Sequence, residues 1–387
     1  MPEPVIAAAL RTPIGTSFKG TLSRTQPADL VTPVIQQIVR RLAVPSDLID
    51  DVILAESLHG GSVLARYAAI EAGLVDVPGL AVNRHCAGGL SAILTAAGAI
   101  LTGDRAIIAG GVQSSSTAPL LGDRFAPDQP WVFESHRPTP DAPADDMSIT
   151  VGWNAARLTG ITRAEQDAWA LRSHQRAIAA IDAGQFAGEI IGIDVVRADG
   201  EQVRFQSDEH PRASTSLEKL AALQPLHPEI DGFSVTAGNA SGINDAAAAV
   251  LVADADAAKD HGWAPLARIV AGASVGVSPE RTGLAVPQAI AKALARAGIA
   301  ADQVDLWEIN EAFASVVIAA CRELKLDEDL VNPYGSGCSL GHPVAATGAR
   351  MVTTLAHELH RRGGGVGVAA MCAGGGMGSA IVLDSRH

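Results

Sequence analysis

The sequence predicts an α/β protein built from two related halves that are separated by an insertion. The 39 glycines lie mostly at the ends of short apolar runs, which is typical of alternating strands and helices. Residues 42–50, ahead of one apolar strand, resemble residues 297–305, ahead of another, 255 positions later. The stretch from about 115 to 242 has no counterpart in the second half. These three observations together indicate a duplicated unit with an inserted segment.

Each half repeats the same order of predicted elements. Amphipathic helices are predicted at about 30–42 and 287–297, each followed by the repeated segment and a buried strand. A second pair of helices is predicted after Cys86 and after His342, each ending at glycine before a further strand. The same offset of 255 carries Cys86 to position 341, beside His342. The two halves therefore place a cysteine and a histidine at equivalent helix N-termini.

The predicted domain organisation follows from this repeat. The first half comprises residues 1–115 and 243–265, the insertion residues 116–242, and the second half residues 266–387. Within the insertion, residues 117–146 are rich in Pro and Asp, and residues 153–186 are predicted to be helical, with ITRAEQD as a helix start.

Composition excludes several classes of protein. A length of 387 residues leaves room for two or three domains with sizeable cores. The net charge of −13 argues against an extended nucleic-acid surface, which needs clustered Lys and Arg. No basic residue precedes the apolar run at 5–10, and no apolar run approaches the ~18 residues of a membrane span. We therefore expect a cytoplasmic enzyme that binds neither nucleic acid nor membrane.

Cysteine usage leaves thiol chemistry open. The four cysteines contain no CxxC pair, so neither a disulfide scaffold nor a zinc site is predicted. Cys86 precedes small residues at a predicted helix N-terminus, where the macrodipole and free N–H groups favour a thiolate. It is thus a candidate nucleophile, or alternatively a small buried hydrophobe.

His342 and Asn310 are the next candidates. His342 precedes Pro343 at a helix start, where a histidine commonly just bonds a backbone group. If the halves pack about a pseudo-twofold axis, however, this imidazole meets the thiol of Cys86. Asn310 and Glu311 follow a buried strand, where an Asn amide caps a helix or orients water or a carbonyl.

Cys372 ends a strand at a glycine-rich turn. Cys372 is either a buried core thiol or a catalytic group. The catalytic interpretation is favoured by the turn, because its free N–H groups can form an oxyanion hole. Cys321 and Cys338 have no partner visible in the sequence, and Cys321 is expected to be structural.

Six blocks in chain order resemble the thiolase family, the acetyl-CoA C-acyltransferases. In order, the blocks are residues 5–15, Asn83-Arg-His-Cys86-Ala-Gly-Gly, residues 236–245, Asn310-Glu-Ala-Phe, Gly341-His-Pro and Cys372-Ala-Gly-Gly-Gly. Condensing enzymes of fatty-acid synthesis share the fold but have Cys with two His and lack the second Cys motif. The resemblance to thiolases is therefore the better one.

This resemblance implies a fold and a mechanism. The fold is a five-layered αβαβα core of two pseudo-symmetric halves with an inserted loop domain. Cys86 is expected to attack as a thiolate activated by His342, and Cys372 to act as acid and base. His342 with a water held by Asn310 would form one oxyanion hole, and the N–H groups of Cys86 and Gly374 the other.

The resemblance also implies ligands and partners. The loop domain is expected to bind coenzyme A through Arg212 and Ser241, with Met147 near the pantetheine and Lys219 as a further contact. Coenzyme A and acyl-CoA are substrates, with no permanently bound cofactor and no metal. The family habit implies a homodimer or a homotetramer assembled through the loop domain, and a place in lipid metabolism such as fatty-acid β-oxidation.

Four segments depart from the family pattern. The family's H-M-G, G-G-M-E-S, N-x-N-G-G-A and M-G-x-G-P are replaced by Asp146-Met147-Ser148, Gly110-Gly-Val-Gln113-Ser, Asn332-Pro-Tyr334-Gly-Ser-Gly-Cys338-Ser339 and Thr282-Gly283-Leu-Ala285-Val286. Several of these positions line or support the expected acyl pocket, so strict specificity for acetoacetyl-CoA is not predicted. Two alternatives to an ordinary thiolase stay open: a divergent Claisen-type acyltransferase on a branched or long acyl-CoA, and a catalytically silent thiolase-like subunit.

Overall fold

The computed structural model describes residues 2–59, 63–119 and 135–386. The predicted insertion is therefore described except for residues 120–134, and the Pro- and Asp-rich segment lies partly outside the described residues. The strands are β1 (Pro4–Arg11), β2 (Gly15–Thr16), β3 (Asp51–Ala55), β4 (Gly79–Val82), β5 (Ala106–Gln113), β6 (Ile193–Val196), β7 (Gln202–Phe205), β8 (Asn244–Asp254), β9 (Ala267–Gly276), β10 (Leu306–Ile309), β11 (Val366–Ala373) and β12 (Met377–Asp384).

Most of the helices form the layers on either side of these strands. They are α1 (Pro27–Leu42), α2 (Leu64–Glu71), α3 (Gly88–Thr102), α4 (Asn154–Thr159), α5 (Arg163–Asp182), α6 (Leu217–Ala221), α7 (Ala255–Asp260), α8 (Ala285–Ala297), α9 (Ala314–Leu324), α10 (Gly337–Leu340) and α11 (Val344–Arg361). The two predicted amphipathic helices are α1 and α8, and each begins two or three residues before its predicted start.

Strand order confirms the two related halves. The main sheet runs β10-β11-β12-β9-β1-β8-β5-β3-β4. Outward from the centre, β1-β8-β5-β3 mirrors β9-β12-β11-β10, and in each half the outermost pair of these strands is parallel while the others are antiparallel. The halves meet through two residue pairs, Val5 with Arg268 and Ile6 with Ala267. The single turns of helix at Ser46–Leu48 and Ala301–Gln303 also keep the offset of 255.

The core is divided into layers by these half-sheets. Helices α1 and α2 cover the outer face of the first half-sheet, and α8 and α9 cover the outer face of the second. Helices α3 and α11 lie between the half-sheets, where Ile93 and Met351 share one apolar cluster with strands of both halves. This arrangement is the predicted αβαβα sandwich.

Small residues let α3 and α11 cross closely. A Cβ built at Gly89 would lie 2.6 Å from the backbone N of Ala349, and one at Gly348 would lie 2.4 Å from the backbone N of Leu90. The segment His85–Thr102 also has the length and mean hydropathy, 1.4, of a membrane span. Its burial between the half-sheets explains that apolarity, because a helix covered on most sides is apolar nearly all round.

The region predicted to be helical, residues 153–186, contains two helices, of which the second ends at Asp182. A π-helical turn, Ser148–Trp153, leads into α4, which ends at Gly160 in a left-handed conformation. Helix α5 then begins after Thr162, whose hydroxyl accepts the N–H of Glu165 in a capping box. The predicted ITRAEQD start is confirmed, and Gly160 is the signal that separates the two helices.

Candidate active site

Cys86 lies in the short turn between β4 and α3. The turn is held by Asn83, whose Oδ1 accepts the backbone N–H of His85 at 2.8 Å. His85 itself has φ of 45°, a left-handed conformation that a non-glycine residue rarely adopts. The backbone N–H of Gly374, in the glycine turn after β11, lies close enough to Cys86 Sγ to lower the pKa of this thiol. The structure therefore joins the two predicted cysteine motifs.

Burial controls the protonation of the Cys86 thiol. Although the N–H groups of Gly374 and Cys86 lower the pKa of this thiol, desolvation is the larger effect and raises it to about 11. The sequence-based expectation of a thiolate favoured by the helix N-terminus is thus corrected for the unliganded site: the resting thiol is protonated at neutral pH. It needs a base to become a nucleophile.

Cys372 lies beside Cys86 at the end of β11. Burial raises the pKa of the Cys372 thiol well above its ordinary value, and the neighbouring Cys86 raises it further. The turn that follows requires glycine at Gly376, where φ is 74° and a Cβ would lie 2.1 Å from the Val277 carbonyl oxygen. The Gly376 N–H donates to Thr282 Oγ1 at 2.9 Å, which fixes the turn to the next segment.

His342 is held at the N-terminus of α11 by two hydrogen bonds. Its backbone N–H donates to Asn244 Oδ1 at 3.1 Å, and its Nδ1 lies 2.7 Å from Thr347 Oγ1. Because the Thr347 hydroxyl donates to the Pro343 carbonyl at 2.9 Å, it accepts from Nδ1–H. This assignment leaves the lone pair on Nε2, the form of imidazole that can accept a proton.

The imidazole of His342 is neutral. Burial, aided by the charge of Arg350, lowers the pKa of His342 to about 3. Arg350 is itself buried, donating to Glu308 Oε2 at 2.9 Å and to Ser336 Oγ at 2.9 Å. The Asn310 amide nitrogen lies 3.5 Å from both ring nitrogens, and Asn310 Oδ1 is buried without a hydrogen-bond partner among the described residues. His342 and Asn310 thus form the second pair that the structure brings together.

Helices α3 and α11 bring the two pairs toward one another. The N-terminal turns of α3 and α11 are in contact, since a Cβ at Gly89 would lie 3.0 Å from the Ala345 carbonyl oxygen. The pseudo-twofold convergence expected for the helices that follow Cys86 and His342 is therefore present.

Glu311 joins the segments around Asn310. Its buried carboxylate accepts from Trp169 Nε1 at 2.9 Å, Asn332 Nδ2 at 2.8 Å, Ser173 Oγ at 2.5 Å and the Cys338 N–H at 3.2 Å. Because its donors come from separate segments, this carboxyl group ties together α5, α10 and the segment that follows β10. Cys338 and Ser339, part of a departure from the family pattern, belong to this network.

The four predicted coenzyme A contacts lie at different distances from this centre. Met147 lies at the site: its Sδ would be 3.6 Å from a Cβ on Gly374. Ser241 donates its backbone N–H to the Ala312 carbonyl at 2.9 Å, beside the Asn310 segment. Arg212 and Lys219 are exposed, and the described residues show no contact between either of them and the cysteines.

Arg212 and Lys219 lie on the outer surface of the insertion. Arg212 borders a cavity of about 260 Å³ along α5, and its backbone N–H donates to His174 Nδ1 at 3.2 Å. Lys219 Nζ donates to the Ser214 carbonyl at 2.6 Å. Both side chains therefore offer positive charge on one surface.

The altered segment at Asp146 has a structural partner that the sequence did not reveal. Asp146 Oδ2 lies 2.7 Å from His227 Nε2, and the other ring nitrogen of His227 lies 2.7 Å from Glu229 Oε1. Asp146 Oδ1 also accepts the N–H of Ser148 at 2.9 Å. This cluster fastens the turn that carries Met147 to a distant part of the insertion.

Three residues at the site were not proposed from the sequence. Asn244 and Thr347 position His342, and His85 lies against Gly374, whose built Cβ would be 4.0 Å from His85 Cγ. Asn244 could have been noticed as a polar residue heading an apolar strand, whereas nothing in the sequence distinguishes Thr347. Among the described residues, no group of three or more His, Cys, Asp or Glu side chains could hold a metal ion.

Comparison with known proteins decides the family. Residues 4–256 match the model of the thiolase N-terminal domain, and residues 263–385 match that of the thiolase C-terminal domain. The chain belongs to the thiolase family. The predicted family, fold and acyltransferase class are thereby confirmed.

Individual thiolases are similar over the whole chain. The acetyl-CoA acetyltransferase of Pseudomonas aeruginosa is 43% identical, and a beta-ketoadipyl-CoA thiolase of the same organism is 41% identical, each with 99% of both chains covered. The crystal structure of the Bacillus anthracis acetyl-CoA acetyltransferase matches with a TM-score of 0.91 and 39% identity, covering 100% of this chain and 99% of that one.

Proposed function

We propose that the chain transfers acyl groups between Cys86 and coenzyme A in a two-step reaction. In the first step Cys86 Sγ bonds to the ketone carbon of a 3-ketoacyl-CoA, the bond to the neighbouring α-carbon breaks, and acetyl-CoA leaves as its enolate. In the second, the thiol of coenzyme A attacks the acyl-Cys86 thioester and releases acyl-CoA. The reverse sequence condenses two acyl-CoA molecules. The observation that supports this most is the position of Cys86 Sγ, which has the Gly374 N–H on one side and Cys372 alongside.

His342 is the proposed base for Cys86. Its neutral imidazole has the lone pair on Nε2 and can accept the proton of the Cys86 thiol. Because burial raises the pKa of the thiol and lowers that of His342, we expect this transfer only as the sulfur attacks the substrate. With Asn310, the same ring would then stabilise the enolate oxygen of acetyl-CoA.

Cys372 is the proposed proton donor and acceptor at the α-carbon. Its strongly raised pKa keeps it protonated when the enolate leaves, so it has a proton to give. It takes a proton back from the thiol of coenzyme A in the second step. The N–H groups of Gly374 and Cys86 are the proposed oxyanion hole for the tetrahedral adduct.

Coenzyme A is proposed to enter as a substrate, with no permanently bound cofactor. Met147 lies beside Gly374 and Ser241 beside the Asn310 segment, which supports contacts of both with the pantetheine. The exposed charges of Arg212 and Lys219 suit the phosphates of coenzyme A. The names of the similar enzymes suggest short acyl groups, either acetyl or the chain of a beta-ketoadipyl thioester. A cytoplasmic location and a role in fatty-acid β-oxidation remain part of the proposal.

We also propose a homodimer. Strand β4 is an outer edge of the main sheet, and its Leu80 has 41% of its surface exposed. An edge strand with an exposed apolar side chain favours pairing with a second copy of the chain. A tetramer would be formed by further contacts of the insertion.

Thiolysis by matched variants tests the proposed function. The purified protein is given acetoacetyl-CoA and coenzyme A, and the loss of substrate is followed. We expect turnover that falls at least about a thousandfold in Cys86→Ala and in Cys372→Ala, with only Cys372→Ala still able to form an acyl-enzyme from acetyl-CoA. The matched control is Cys321→Ala, a buried thiol in the α9 core, which should retain activity. Absence of thiolysis in the wild-type chain would favour the silent-subunit alternative.

A further inference from the structure

We propose that His85 selects acyl groups carrying a hydrogen-bonding oxygen group, a carboxylate or a hydroxyl, a few atoms beyond the reacting carbonyl. This inference rests on the proposed function, because it concerns the acyl group that Cys86 would carry. It goes further by naming a residue and a class of substrate.

His85 lies beside the path that the acyl group must take. The Gly374 N–H contacts Cys86 Sγ, so an acyl group on that sulfur starts next to Gly374. A side-chain atom built on Gly374 would lie 4.0 Å from His85 Cγ and 3.6 Å from Met147 Sδ. The imidazole of His85 and the thioether of Met147 therefore flank the space in front of Gly374.

The ring of His85 is available for a ligand. It is half-buried, and no described residue forms a hydrogen bond with either ring nitrogen. Its position is imposed by the backbone: φ is 45°, and Asn83 Oδ1 holds the N–H of the same residue. A strained backbone that is held in place and presents an unpaired polar group is characteristic of a functional position.

The polarity of this space favours an oxygen-bearing acyl group. Burial lowers the pKa of His85, so the ring is neutral and offers one donor and one acceptor. At the next residue of the same turn, a Cβ built at Gly375 would lie 3.0 Å from Ser135 Cβ and 3.4 Å from its hydroxyl oxygen. A plain alkyl chain would remove water from the imidazole without replacing its hydrogen bonds, which costs free energy.

Chain length agrees with this position. A six-carbon 3-ketoacyl-CoA with a terminal carboxylate leaves a four-carbon acyl group on Cys86, with two methylene groups between the thioester carbon and the carboxylate. A carboxylate this close to the thioester carbon suits contact with the imidazole of His85, because His85 is the residue next to Cys86. A carboxylate there would accept a hydrogen bond from the imidazole and favour its protonation.

Three substrates of equal length test the proposal. They are six-carbon 3-ketoacyl-CoA thioesters ending in a carboxylate, a hydroxyl and a methyl group, and kcat/KM for thiolysis is measured for each. We expect the wild-type chain to prefer the carboxylate or the hydroxyl over the methyl substrate by at least about tenfold. His85→Leu should abolish that preference, mainly through KM, and His85→Gln should retain part of it.

Two controls separate the possible failures. Met147→Leu, on the other flank of Gly374, changes the shape of the site without removing a hydrogen-bonding group, so it should preserve the ratio among the three substrates. Preference for the methyl substrate, or an unchanged ratio in His85→Leu, would overturn the role of His85 while leaving thiolase activity on acetoacetyl-CoA intact. Inactivity of the wild-type chain on acetoacetyl-CoA as well would overturn the proposed function itself. Preference for only one of the two oxygen groups supports the proposal and identifies the group.

Discussion

At the scale of single residues, the site pairs a protonated thiol with a neutral imidazole. Burial disfavours charge on both groups, raising the pKa of Cys86 to about 11 and lowering that of His342 to about 3. A resting thiolate–imidazolium pair is therefore not expected. We expect the proton to move only as the sulfur attacks the substrate, and the positioning contacts of Asn244 and Thr347 keep the accepting nitrogen in place.

The alkylation rate of Cys86 tests this protonation state. Only the thiolate reacts, and its fraction grows with pH until the pKa is reached, so modification by iodoacetamide should speed up about tenfold per pH unit between about pH 7 and pH 9. Peptide mass spectrometry assigns the reaction to Cys86 rather than to the three buried thiols. A rate that does not change over this range would show a resting thiolate and contradict the assignment.

At the scale of elements, the crossing of α3 and α11 positions both pairs of candidate catalytic groups. Gly89 and Gly348 have backbone neighbours so close that no side chain fits. Gly98, in the same helix α3, is exposed and has no atom within 4 Å of a built Cβ. Gly89 and Gly98, both in α3, thus allow a matched comparison of packing and helix propensity.

Alanine substitutions at these glycines should have opposite effects. Gly89→Ala should lower the free energy of unfolding by about 1–3 kcal/mol, because the backbones of the two helices must separate. Gly98→Ala should raise it by up to about 1 kcal/mol, because alanine favours the helix. Urea unfolding measures both. Equal effects of the two changes would contradict close helix packing as the reason for Gly89.

Sequence reasoning succeeds at the element scale where a local pattern recurs. The repeat 255 positions apart and the glycine that ends α3 predicted the halves and two of their helices. It named Glu311 after a buried strand but did not reveal the network of this residue, because its four donors come from segments far apart in the chain. The role of His85 was missed for a similar reason: its place beside Cys86 was visible, but the direction of its ring depends on a left-handed backbone and on the turn at Gly374.

At the scale of the whole molecule, duplication explains how one chain assembles the site. The first half contributes Cys86 and the second half contributes Asn310, His342 and Cys372, and the shared α3–α11 layer holds them in register. The main sheet has two outer edge strands, β4 and β10. Strand β4 leads directly into the turn that holds Cys86. A second copy at this edge would therefore also support the nucleophile.

A charge at the edge strand tests the proposed homodimer. Leu80→Lys should shift the mass measured by light scattering toward that of a single chain, because it places a charge where two apolar edges meet. Val196→Lys is the matched control, since Val196 is 47% exposed on the separate β6–β7 hairpin. An unchanged mass for Leu80→Lys, or an equal decrease for Val196→Lys, would contradict pairing through β4.

The most direct test of the account is to find the acyl group during the reaction. The chain is mixed with acetoacetyl-CoA in the absence of coenzyme A, quenched in acid within a turnover, digested and analysed by mass spectrometry. The proposed mechanism predicts an acetyl group on the peptide that contains Cys86, and its loss on addition of coenzyme A. Acetylation of Cys372 or Cys338 in its place, or active thiolysis without any acyl-Cys86, would contradict the central claim.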